Sequence, residues 1–171
     1  AESVELNAPF FAQKFPNIST YILPYPGFSG SENTPSEEGI CNDGLVSFDA
    51  IARRHKRIIL VGRGLGAAVA TYIASERHVE KLILVTPFYS LVELMSDTYP
   101  YLPMRFLLRD TYKTWKFAAN VSAPVHVLLA EYDQFVPAAS SYRLFQSFHT
   151  PLEFKIIKQA GHNDIHHYEG Y

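Results

Sequence analysis

The chain predicts an α/β fold, a mostly parallel sheet with helices on both faces. Three observations carry that prediction. Short runs of branched apolar residues recur along the chain, the pattern of strands buried on both sides. Helical patterns separate them, and strand–helix alternation leads to parallel pairing through right-handed crossovers. From Ile58 to Ala70 (IILVGRGLGAAVA), strand, glycine turn and helix follow one another with no linker at all.

The elements follow in chain order. Thr20 to Leu23 is a short first strand, and Pro24-Tyr25-Pro26-Gly27-Phe28-Ser29-Gly30 after it is a turn cluster in which Gly and Pro supply unusual dihedrals. Asp43 to Arg54 reads as a helix, Arg57 to Val61 (RIILV) as a buried strand, and Leu65 to Arg77 as an alanine-rich helix. Lys81 to Val85 (KLILV), Val125 to Ala130 (VHVLLA) and Glu153 to Ile157 (EFKII) are further strands, with a helix over Ala138 to Phe148. Phe88 to Ala119 is far longer than the roughly one dozen residues a crossover needs, and is rich in aromatic residues. It reads as a helical cap inserted over one end of the sheet.

With 171 residues, against about 150 per domain, the chain is expected to form one domain spanning 1–171. Its 15 basic and 17 acidic residues leave a net charge of −2, with no excess to track a phosphate backbone or an anionic membrane, so neither nucleic acid nor a lipid surface is expected as partner. A 47% hydrophobic and 14% aromatic composition excludes disorder. The lone Cys41 makes no internal disulfide and is too little for a zinc cluster, which points to a reducing, cytoplasmic setting. No apolar run approaches the roughly 20 residues that insert across a bilayer. The opening Ala1-Glu2-Ser3, without an initiator Met, is what would be expected of a processed or trimmed product.

The glycine turn admits two mechanisms. Gly62-x-Gly64-x-x-Ala67 fits a dinucleotide-binding turn, in which glycines let the backbone approach a pyrophosphate at a helix N-terminus. A nucleophile elbow, G-x-S-x-G, needs the same strand–turn–helix geometry, but its central position here is Gly64. A dinucleotide fold places an acid about 20 residues on, to hold the ribose. The next strand instead ends Val85-Thr86-Pro87. Further along, Glu131-Tyr132-Asp133-Gln134-Phe135-Val136-Pro137 puts an acid just past a strand, and Gly161-His162 puts a histidine just past the last one. Elbow, acid and histidine therefore come in that order along one rim of the sheet, where open parallel sheets keep their sites.

On these pieces, together with Pro24 to Ser31 and Asp43, the sequence resembles the alpha/beta hydrolase superfamily. The likeness is to its small-cap serine hydrolases, which include prolyl-oligopeptidase-like and lysophospholipase-like enzymes. The resemblance covers nearly the whole chain. It implies that Asp133 orients His162, that His162 is general base and acid, that Gly64 stands at the nucleophile position, and that the Leu65 N–H is one oxyanion donor. It implies a small-molecule ester or peptide-like ligand, no cofactor and no metal. Two departures follow from the same resemblance. Gly64 has no hydroxyl, so the chain as written is expected to be inactive, a pseudoenzyme of esterase, peptidase or lipase ancestry. The family's first oxyanion donor and central strand precede the helix that Ala1 to Phe15 resembles, so the sheet is expected to lack its N-terminal strands.

Each residue also has a plainer reading. Gly64 serves a tight turn by its backbone alone, and Asp133 caps a helix or occupies a turn. His162, His166 and His167 with Asp164 invite a metal reading, but the glutamate of a metalloprotease motif is lacking. Arg63 is expected either to meet a carboxylate at the site mouth or to be solvated. Asn17-Ile18-Ser19 and Asn120-Val121-Ser122 match the glycosylation sequon. Three function classes stay open: a serine hydrolase-like protein, a non-catalytic binding or scaffold domain, and a nucleotide-binding domain. The sequence names neither the substrate nor the oligomeric state.

Overall fold

A computed structural model describes residues 13–14, 16–25 and 35–171. Four strands, β1 (Ile59–Arg63), β2 (Lys81–Val85), β3 (Val125–Tyr132) and β4 (Leu152–Gly161), form one parallel sheet in the order β1-β2-β3-β4. Helix α1 (Glu37–Ala52) precedes β1; between the strands run α2 (Leu65–Glu76), α3 (Leu91–Thr98), α4 (Met104–Leu107), α5 (Thr114–Ala118) and α6 (Ala138–Phe145), and a 3₁₀ turn, Ile165–His167, follows β4. The predicted α/β class, with its parallel sheet and helices, is the class the structure shows.

Boundaries moved where a local signal outweighed periodicity. The first helix begins at Glu37, not Asp43, because Ser36 caps it: its Oγ accepts the Gly39 N–H at 3.1 Å, and Glu37 and Glu38 lie in the first turn, where the helix dipole favours acids. β4 runs on past Ile157 to Gly161 through Gln159, at φ +62°, and a register irregularity against Ala130 and Tyr132 of β3. One expected strand is absent. Thr20–Leu23 has no ladder, because β1 bonds β2 on one side and pairs on its other edge with none of the described residues. Tyr21 and Ile22 are 51% and 37% exposed, and the Tyr21 hydroxyl meets His55 Nε2 at 2.9 Å, so the segment is held by a side chain and not by a ladder of backbone bonds. The expectations for residues 1–12, 15 and 26–31 lie outside the described residues.

Strand alternation divides the core. Leu82, Leu84, Val125, Val127 and Leu129 face the larger cluster with Ala67, Ala68, Ile73 and Ala74 of α2, Phe48 of α1, Ala118 of α5 and Leu144 of α6. The opposite face carries a small cluster of Val85, Ala130, Ile157, Ala160 and Ile165, with Tyr168 and Tyr171 packed on it. Helix α2 approaches the sheet closely because its buried side chains are mostly alanine. The segment between β2 and β3 holds α3, α4 and α5 and is tied to α1. Glu37 Oε2 accepts the N–H groups of Thr111 (2.8 Å) and Tyr112 (2.9 Å), and Asp110 Oδ1 accepts the Glu37 N–H at 2.9 Å. Tyr89 stacks on Trp115 with ring centroids 5.8 Å apart. No helix among the described residues is long and apolar enough to cross a membrane.

Candidate active site

Two glycines shape the turn from β1 into α2. A Cβ at Gly62 would stand 2.3 Å from Gly66 O, 2.7 Å from Ala70 Cβ and 2.8 Å from Ala67 Cα, so only hydrogen fits between strand and helix. Gly64, at φ +53° and ψ −117°, is the N-cap of α2 and holds a backbone conformation that side-chain-bearing residues adopt only under strain. Its N–H bonds Val85 O of β2 at 3.0 Å, and its carbonyl accepts the Ala67 N–H at 3.0 Å. Leu65 opens the helix, so its N–H has no acceptor within the helix and points off the N-terminus, the positive end of the dipole.

At the ends of β3 and β4, the acid and the histidine meet. Asp133 Oδ2 and His162 Nδ1 are 2.8 Å apart, and the two side chains are only 6% and 17% exposed. Asp133 Oδ1 accepts the N–H groups of Phe135 (2.9 Å) and Val136 (2.8 Å), which fixes the carboxylate from its other side. Burial pushes the Asp133 carboxyl up, but the bond to His162 and the two backbone N–H groups outweigh it and leave the acid below the usual carboxylate range. The far edge of the imidazole faces the turn. A Cβ at Gly64 would lie 3.5 Å from His162 Nε2 and 3.8 Å from Cε1, ordinary contact distances. Phe135 packs edge-on against the ring, with centroids 5.4 Å apart.

Residues 99 positions apart thus meet at the histidine, since Arg63 donates through its guanidinium to the backbone carbonyl of His162. This corrects the expectation that Arg63 faces a carboxylate at the site mouth. Alternation along β1 sends its side chain to the sheet face away from α2. Asp164 is a further residue that sequence reasoning weighed only as a metal ligand; its Oδ1 accepts the Gly161 N–H at 2.7 Å and closes the loop carrying His162. An Asp three residues after a strand-ending Gly is the local signal for that turn. The rings of His166 and His167 lie 3.9 Å apart, and among the described residues no three His, Cys, Asp or Glu side chains are grouped to hold a metal ion.

The sequence profile of the dienelactone hydrolase family matches residues 33–169. An uncharacterized protein of Mycobacterium tuberculosis is 36% identical over 151 residues, which cover 86% of this chain and 54% of that protein. The alpha/beta hydrolase domain-containing protein WAV2 of Arabidopsis thaliana is 28% identical over 138 residues, 70% of this chain and 45% of that one. The chain spans about half the length of the curated relatives it matches. Among solved structures, DcsB in complex with its substrate analogue superposes with a TM-score of 0.75 at 17% identity, covering 98% of this chain and 81% of DcsB. The monoacylglycerol lipase of Paleococcus ferrophilus gives 0.64 at 16% identity, covering 91% and 81%. At such identities the structural likeness is one of fold.

Proposed function

We propose that this chain, which belongs to the dienelactone hydrolase family within the alpha/beta hydrolase superfamily, carries the histidine and carboxylate of a serine hydrolase site and, with Gly64 in the nucleophile's place, forms no acyl-enzyme. The observation that carries this reading is the contact of Asp133 Oδ2 with His162 Nδ1 at 2.8 Å while Nε2 faces position 64. In such an arrangement Asp133 orients the imidazole and stabilises its protonated form, and Nε2 is the base for a hydroxyl at the turn. The Leu65 N–H is then one donor to a developing oxyanion. On this reading the ligand class is a small acyl ester or peptide-like amide, approached along the rim beside the segment between β2 and β3; that an esterase and a lipase share the fold supports the ester.

A glycine leaves the base without a protein hydroxyl to deprotonate, so the reading is of a hydrolase-type site kept for binding. A nucleotide-binding turn is disfavoured by the same geometry, because the His162 ring stands over the helix N-terminus where a pyrophosphate would sit. The test is fluorophosphonate labelling followed by mass spectrometry. The parent chain is expected to take up no label at position 64 and to leave p-nitrophenyl esters intact. In a protein that also supplies the family's first oxyanion donor and central strand, Gly64→Ser is expected to label on the new hydroxyl, and His162→Ala in that background to abolish labelling. A Gly64→Ser protein so completed that folds, keeps His162 against Asp133, and still neither labels nor hydrolyses simple esters refutes the hydrolase ancestry, and the plain binding-domain reading replaces it.

A further inference from the structure

Strands β1 and β4 are opposite edges of the sheet. At roughly 4.8 Å per strand spacing they stand some 14 Å apart, so nothing in the ladder brings the end of β4 to the turn after β1. Yet His162 Nε2 comes within 3.5 Å of a Cβ at Gly64. The loop after β4 therefore arches over the ends of β3 and β2, and three tethers hold it. The Gly161 N–H to Asp164 Oδ1 bond closes the loop on itself, and the Asp133–His162 pair fastens it to the end of β3. Arg63, donating to the His162 carbonyl, is the tether that reaches β1.

We propose that Arg63 is a positioning residue for His162: by holding the backbone carbonyl of the histidine from the end of β1, its guanidinium sets the distance between the imidazole and position 64. The proposal rests on the reading of Asp133 and His162 given above and divides their support. Asp133 fixes the tautomer and rotation of the ring; Arg63 fixes its reach across the sheet. An arginine suits the task, because its charged donor makes a stronger bond to a carbonyl than a neutral one and its planar fork is pre-organised. Its surroundings accommodate the charge. Burial, then His167, then the Arg63 charge itself hold His166 below the ordinary imidazole range. The Nδ1 and Nε2 atoms of His166 are buried without a hydrogen-bond partner, and so do not draw the guanidinium away from the loop.

The experiment is proton NMR of the full 171-residue chain, with two signals read together. The first is a low-field proton from the His162 Nδ1–Asp133 bond, and the second is a nuclear Overhauser contact between a Gly64 α-proton and the His162 Cε1 proton. The parent is expected to show both; absence of the low-field proton in the folded parent overturns the reading of the pair, whatever Arg63 does. Arg63→Met, which keeps the aliphatic stem, is expected to retain the low-field proton and lose the Gly64 contact, and Arg63→Lys to restore that contact in part. If Arg63→Met does not fold, Arg63→Gln takes its place, since its amide stops short of the carbonyl. An unchanged Gly64 contact in either variant overturns the proposal. So does failure of both to fold, which would make Arg63 a residue of stability alone.

Discussion

Replacing Gly62 by alanine isolates the close packing on which the turn depends. The added methyl meets Gly66 O at 2.3 Å, Ala67 Cα at 2.8 Å and Ala70 Cβ at 2.7 Å, all atoms of the α2 backbone or of a side chain with no rotamer to escape into. No local adjustment clears three such contacts, so α2 must lift away from β1 and shear the core formed by Ala67, Ala70 and Ile73. Overpacking that displaces backbone falls at the severe end of single substitutions, about 3 to 5 kcal/mol, out of roughly 5 to 15 kcal/mol of total stability. For a chain of this size that lowers Tm by about 6 to 20 °C. Gly64→Ala is the control, because its methyl meets only His162 at 3.5 Å and bears only the strain of φ +53°, about 1 to 3 kcal/mol. Thermal unfolding of parent and variants, followed by far-UV circular dichroism, ranks them. A Gly62→Ala chain melting within about 3 °C of the parent, or above Gly64→Ala, would refute the reasoning from close approach.

Three further outcomes follow from the same geometry. Because the native pair holds the Asp133 carboxyl below its unfolded value of about 3.9, its contribution is present above that pH and is lost as pH falls through the lower folded value; urea unfolding from about pH 5 to about pH 2 should show a flatter decline in Asp133→Asn than in the parent. Burial, followed by the charge of Glu37, pushes the Cys41 thiol up to about 12, so iodoacetamide at about pH 8 should leave the native chain unmodified and alkylate it promptly in urea, as mass spectrometry would show. Glu37→Ala strips the acceptor from two backbone N–H groups; a loss of about 2 kcal/mol is expected, with faster amide exchange at Thr111 and Tyr112 and little change at Asp133.

Residue pattern alone was enough for the fold class and for the chain order of the candidate site residues. Runs of branched apolar residues mark the four paired strands, and β2 falls at the predicted Lys81 and Val85, but the burial expected of every strand is not found at the edges, where Ile59 and Val61 of β1 and Phe154 and Ile156 of β4 are 44% to 51% exposed. Gly62 and Gly64 were legible as a turn because so few residues tolerate a close approach or a positive φ. Asp133 and His162 were legible as strand-end residues on one rim. Tertiary structure decided the rest. Thr20–Leu23 has the composition of a strand, but a strand exists only by pairing, and its partner is absent from the described residues. The start of α1 depended on one hydroxyl at Ser36, a signal too local for the apolar pattern to register. Above all, the contacts of His162 with Asp133, with Arg63 and across to position 64 join residues 29, 99 and 98 positions apart in the chain. No periodicity encodes such distances: they follow from the order of the strands and from the path of one loop over the ends of the sheet.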